Sequence, residues 1–103
     1  MVELKDIQAL ADSIAKRFSP ERIILFGSYA TGSAGPDSDV DLLVVLPFEG
    51  KTWKMASTIR RCIRPSFPMD LLVRTPQQLR QRLTMNDVFM RDITQKGKML
   101  YEA

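Results

Sequence analysis

Residues 42–46 read Leu-Leu-Val-Val-Leu, an apolar run with no polar alternation. A strand of that kind is central and needs cover on both faces. The run is headed by Asp39-Val40-Asp41. Carboxylates two residues apart on a strand point to the same face. Each raises the other's pKa unless a cation or hydrogen-bond donors hold both ionised, and a divalent metal ion is the usual resolution. The run therefore asks for a layered α/β domain and, at one end of its central strand, for a positive charge.

The rest of the chain fits that demand. Leu4, Ile7, Leu10, Ala11, Ile14 and Phe18 recur at helical spacing and predict an amphipathic helix over 3–18, ended by Ser19-Pro20. Ile23-Ile24-Leu25-Phe26 reads as a buried strand, 22–26, stopped by Gly27, with a short helix opening near Ser28. Residues 32–38 carry loop chemistry, with Asp37 as a turn residue and Ser38 ordering the loop. A helix over 51–63 buries Met55, Ile59, Cys62 and Ile63, and a third strand covers 69–73 with Asp70 near its start. Thr75-Pro76 opens a helix, hydroxyl at the cap and proline at the first position. It divides near 84–86, with Leu79, Leu83, Val88, Phe89 and Ile93 as its apolar residues, and Gly97 caps its end before a last strand over 99–101. The order predicts a small mixed sheet packed by helices, one α/β domain spanning 1–103.

Composition narrows the chemistry. Of 103 residues 45% are hydrophobic, enough for one core, and no apolar run approaches the length of a membrane span. The first residues show no secretory pattern. Cys62 is the only cysteine, so no internal disulfide forms and a reducing cytoplasm is the expected compartment. The absence of histidine removes histidine triads, histidine bases and conventional zinc sites. A net charge of +3 is too small to argue for a nucleic-acid partner, although Lys51, Lys54, Arg60, Arg61 and Arg64 cluster without an intervening acid. That cluster is either a solvated helix face or a patch for a polyphosphate or an acidic partner. Tyr29 is a binding contact or a packing residue, and Trp53 is expected to be buried or at an interface.

Asp39, Asp41 and Asp70 each sit at the start of a strand. If those strands are neighbours, the three converge at one end of the sheet. Magnesium prefers carboxylates combined with phosphate oxygens and water, and a pair of such ions clamps the attacking and leaving oxygens of phosphoryl-type transfer. Gly27-Ser28, a turn that leaves a strand and opens a helix, is suited to phosphate through its backbone N–H groups and the Ser28 hydroxyl.

Gly27-Ser28, ten residues, then Asp39-Val40-Asp41 resembles the signature of the DNA polymerase β-type nucleotidyltransferases. The fuller run from Gly27 to Val44 is similar to that of the minimal nucleotidyltransferases of prokaryotes. The resemblance implies the polymerase β-like fold, with an NTP, ATP before others, held on Gly27 and Ser28. It also implies two Mg²⁺ ions on Asp39 and Asp41, with Asp70 completing the site and assisting deprotonation of an acceptor hydroxyl. Catalysis rests on Asp39, Asp41 and Asp70. Many minimal members accompany a HEPN-class RNase toxin, and the resemblance implies an antitoxin that adds AMP to a toxin tyrosine. The alternatives are a binding module that neutralises its toxin by contact, and a small-molecule nucleotidyltransferase working with a partner subunit. The chain departs from many relatives at Thr31, where they carry an arginine able to contact phosphate. At this length it holds little beyond the nucleotide half of a site, so a partner protein or a second copy of the chain is expected to supply the acceptor half.

Overall fold

The computed structural model describes residues 1–103. The elements are α1 (Leu4–Phe18), β1 (Arg22–Phe26), α2 (Ser28–Thr31), β2 (Val40–Val45), α3 (Thr52–Ile63), β3 (Met69–Arg74), α4 (Pro76–Thr84), α5 (Val88–Lys96) and β4 (Lys98–Glu102). All match the sequence expectation within a residue or two at their ends. The strands form one mixed sheet in the order β3-β2-β1-β4, with β2 and β3 parallel and the other pairs antiparallel.

The unalternating strand is central, as its pattern requires. Val40, Leu42 and Val44 face a core shared with Ile7, Ala11 and Ile14 of α1 and Ile59 of α3. Leu43 and Val45 face a second core with Leu79 of α4 and Met90 and Ile93 of α5. Each fully buried Ile or Leu contributes about 1.5–3 kcal/mol, and burying both faces of β2 anchors the strand that carries Asp41.

Local chemistry sets the boundaries. Ser19 ends α1 in the left-handed conformation, φ 47°. At α4, Gln78 N–H donates to Thr75 Oγ1 and Thr75 N–H donates to Gln78 Oε1, each at 3.0 Å, a reciprocal cap followed by Pro76. Asp87 accepts from Met90 N–H at 3.1 Å and opens α5.

Four expectations need correction or refinement. Cys62 is exposed, in the last turn of α3, while the helix packs through Met55, Ala56, Ile59 and Ile63. Gly97 does cap α5, its N–H donating to Ile93 O at 2.9 Å, but with φ −70° rather than in a left-handed turn; it is small because a Cβ there would collide with Ile93 O and the Ile24 side chain. Val88 and Phe89 lie at the start of α5 but face outward, not into the core. Trp53 is 64% exposed, which removes the buried reading. No helix is long and apolar enough to cross a membrane.

Candidate active site

The sheet register assembles the acidic cluster. Asp41 lies opposite Phe26, the last residue of β1, and opposite Asp70 of β3. Neighbouring strands are about 4.8 Å apart, so the two carboxyls are adjacent. Leu43 and Val45 on β2 and Leu72 on β3 pack with α4 and α5. By the two-residue period, Asp41 and Asp70 therefore project from that same face. Asp41 is half-buried, whereas Asp39, in the segment just before β2, and Asp70 are exposed.

Burial pushes the Asp41 carboxyl above its ordinary value of 3.8, and the Asp70 and Asp39 charges and a hydrogen bond with Asp70 push it the same way. Two carboxyls share a hydrogen bond only when one carries a proton. None of the protein's ion pairs includes any of the three aspartates. The side chains do not close into a ready-made cage of three ligands, as expected of like charges with nothing between them. The donor set nevertheless fits a hard divalent cation: all oxygen, all carboxylate, and short of positive charge.

The Gly27 turn is built against this cluster. Gly27 adopts φ 73° and ψ −155°, a conformation essentially reserved for glycine. The Asp41 carboxylate occupies the space that a Cβ on Gly27 would need. Ser28 then opens the single turn of α2, whose hydrogen bonds begin at Ala30 N–H donating to Gly27 O at 3.1 Å. The Ser28 and Tyr29 N–H groups stand outside that turn's bonding, as the first donors of any helix do. Tyr29 is a packing residue: it is buried, and its hydroxyl accepts from Val2 N–H at 3.0 Å. Thr31 Oγ1 hydrogen-bonds Ser33 Oγ at 2.9 Å and lies 3.4 Å from Gly27 O and Ser28 O, so it braces the turn. Ser38 Oγ accepts from Gly35 N–H at 2.9 Å and orders the loop before Asp39.

Two clefts meet here. One, about 300 Å³, lies beside the turn and is lined by Gly27, Thr31, Phe89, Lys96 and Gly97 among others. The other, about 260 Å³, contains Asp41, Asp70 and Arg60. Phe26 and Phe89 belong to both and meet edge to face, ring centroids 5.8 Å apart at 85°. Phe89, Lys96 and Arg60 were not singled out as site residues from the sequence. Arg60 was visible only as part of the basic cluster, and Phe89 read as one more apolar helix position. Which way either points is decided by the packing of α3 and α5 on the sheet.

A carboxylate cluster set on a glycine turn at one end of a mixed sheet is the layout of a domain that handles phosphates. The nucleotidyltransferase domain family matches residues 7–101, nearly the whole chain, and the protein belongs to that family. Among curated proteins no match is found. Among solved structures, a Sulfolobus solfataricus protein put forward as a nucleotidyltransferase is 22% identical, with a TM-score of 0.67 over 96% of this chain and 79% of that one. A toxin–antitoxin structure with AMP-PNP is 25% identical, with a TM-score of 0.58 over 99% of this chain and 75% of that one. A mutant of the MntA-HpeT toxin–antitoxin is 24% identical, with a TM-score of 0.53 over 100% and 75%. The fold and family are those of the minimal nucleotidyltransferases.

Proposed function

We propose that the protein transfers AMP from ATP to a hydroxyl of a protein partner in the cytoplasm, as the antitoxin of a toxin–antitoxin pair. The observation that carries the reading is the contact of the Asp41 carboxylate with the Gly27 turn, which puts the cation-seeking and phosphate-seeking groups side by side. The toxin–antitoxin neighbours, one of them described with AMP-PNP, support the nucleotide and the biological role.

In this reading Asp39, Asp41 and Asp70 hold Mg²⁺, which when bound neutralises the triphosphate and polarises the phosphorus under attack. Gly27 and Ser28 carry the phosphate tail, the turn lending its N–H groups and Ser28 its hydroxyl. Lys96, on the wall of the adjoining cleft, supplies a cation near Thr31, where many relatives have arginine. The acceptor oxygen bonds to the α-phosphorus, the bond from that phosphorus to pyrophosphate breaks, and the hydroxyl proton passes to the Asp70 carboxylate. Positioning and charge do most of the work, in keeping with a chain that has no histidine.

The test is to incubate the protein with the product of its neighbouring gene, Mg²⁺ and labelled ATP, and to repeat with Asp39→Asn and Asp41→Asn. The expected result is label on the partner that disappears in both variants. Neutralisation of the partner that survives both substitutions without any label overturns the enzymatic reading in favour of inhibition by contact.

A further inference from the structure

Strand β3 lies at one edge of the sheet, with no strand on its outer side. The ladder shows which of its backbone groups face out. Val40 N–H donates to Pro68 O at 3.0 Å and Leu46 N–H donates to Arg74 O at 3.1 Å. In a parallel pair such bonds recur at every second residue. Asp70, Leu72 and Arg74 therefore turn their backbone toward β2, and Met69, Leu71 and Val73 turn theirs to the free edge. Two of the three outward carbonyls are taken by arginines: Arg60 donates to Met69 O, and Arg74 Nη1 donates to Val73 O at 2.7 Å. Leu71 meets the edge with no strand to pair with.

A trough of about 300 Å³ follows this edge, with Trp53, Ser57 and Arg60 of α3 on one wall and residues 71–74 on the other. At its Arg74 end it joins a wholly polar cleft of about 330 Å³ formed by Thr52, Arg74, Gln78, Gln81 and Arg82. At its Arg60 end it joins the cleft of Asp41 and Asp70. No carboxylate lines the trough or the polar cleft, and the first acids met along it are those of the candidate site.

We propose that the β3 edge receives an extended, acidic segment of the protein partner as a fifth strand and leads a hydroxyl of that segment to Asp41 and Asp70. This rests on the transfer reading above and names how its acceptor is held. Strand addition uses an edge of alternating N–H and C=O groups, which a peptide matches and a nucleic acid does not. The incoming strand takes the Met69 and Val73 carbonyls, and the arginines it displaces exchange neutral partners for carboxylates, the stronger class of hydrogen bond. Exposed Trp53, with Lys54 Nζ 5.6 Å from its ring centroid, offers an amphipathic rim to the same segment. At about 3.3 Å per residue, the distance from Arg74 to Asp70 places the acidic side chain about four residues from the acceptor hydroxyl.

The test uses the full chain and a short capped peptide in which a tyrosine is followed by alternating valine and glutamate, with a copy carrying lysine for each glutamate. Amide hydrogen exchange read by NMR reports on the edge directly. The expected result is protection of the Leu71 and Val73 amides by the acidic peptide, about tenfold weaker binding of the lysine copy, and reversal of that preference in Arg74→Glu. Equal binding of the two peptides, protection confined to other segments, or no binding at millimolar peptide overturns the proposal. So does a single-stranded oligonucleotide that outcompetes the acidic peptide for the same edge. Peptide binding is expected to persist in Asp41→Asn, and Mg-ATP binding in Arg74→Glu. A failure of the transfer chemistry and a failure of the docking are thereby read separately.

Discussion

Asp41 is half-buried, faces Asp70 across the ladder and fills the space beside Gly27. Its carboxyl is raised above 3.8, so the fold holds a proton there more tightly than the unfolded chain does. For a raised acid the contribution to stability is complete below the unfolded value and is lost as pH rises through the folded one. Asp41→Asn is therefore expected to stabilise the metal-free protein at neutral pH, by roughly 0.5 kcal/mol after solvent screening, while lowering transfer about a thousandfold. Thermal melting and the labelled-ATP assay check the two halves. Gly27→Ala acts in the opposite sense on the fold. It forces a side chain into φ 73° and against the Asp41 carboxylate, and should cost about 1–3 kcal/mol, read as a lower Tm together with lost activity. Lys96 is exposed, and its ion pair with Asp92 spans 3.7 Å. Under the role proposed for it, Lys96→Ala raises the KM for ATP about two- to fivefold, an effect that fades with added salt, and leaves Tm unchanged.

Most of the elements could be read from the sequence because each carries its own punctuation. The Thr75-Pro76 start is the clearest case, and the structure shows both halves of the cap. Thr75→Ala should cost about 1 kcal/mol, seen as a shift in the denaturant midpoint without a change in slope. The positions misread are those whose surroundings come from other elements. Cys62 shares the helical phase of Met55 and Ile59, which pack on the core, yet it stands exposed in the last turn of α3. Gly97 does terminate α5, but the reason it must be glycine is a close approach between α5 and β1 and not a left-handed turn. Phe89 looks like a core residue and stands 53% exposed against Phe26 beside the carboxylates. Periodicity reports that a helix has an apolar face. It does not report which neighbour meets each flank of that face.

At the scale of the whole molecule, the sheet carries a core on each face and leaves an acidic end open. A ligand that binds only the folded state adds stability by mass action, about 2.7 kcal/mol when present at a hundred times its Kd. Mg²⁺ with ATP is thus expected to raise Tm at neutral pH, and chelation to remove the gain. Under the role proposed for Asp41, protons and Mg²⁺ would compete for its carboxylate. The gain should shrink as pH falls through the raised range of that carboxyl, even though Asp41's own contribution to the metal-free fold becomes more favourable there. A Tm gain from Mg-ATP that is independent of pH down to about 4 would place the cation away from Asp41. The free edge of β3 belongs to this scale too, because its trough is walled by α3 and the sheet and the polar cleft that continues it is walled by α4.

The sequence by itself determined the layers and the cluster's membership. An unalternating strand must be covered on both faces, and Asp39, Asp41, Asp70 and the Gly27 turn all stand at element ends, where local chemistry is legible. Only the tertiary structure decided that β2 and β3 run parallel in the register that sets Asp41 against Asp70. It alone decided that the Asp41 carboxylate lies on Gly27, and that Arg60, Phe89 and Lys96 line the clefts beside them. The physical reason is one of range. Strand and helix patterns are written in neighbours along the chain, whereas register and the facing of helix flanks come from contacts between residues far apart in it.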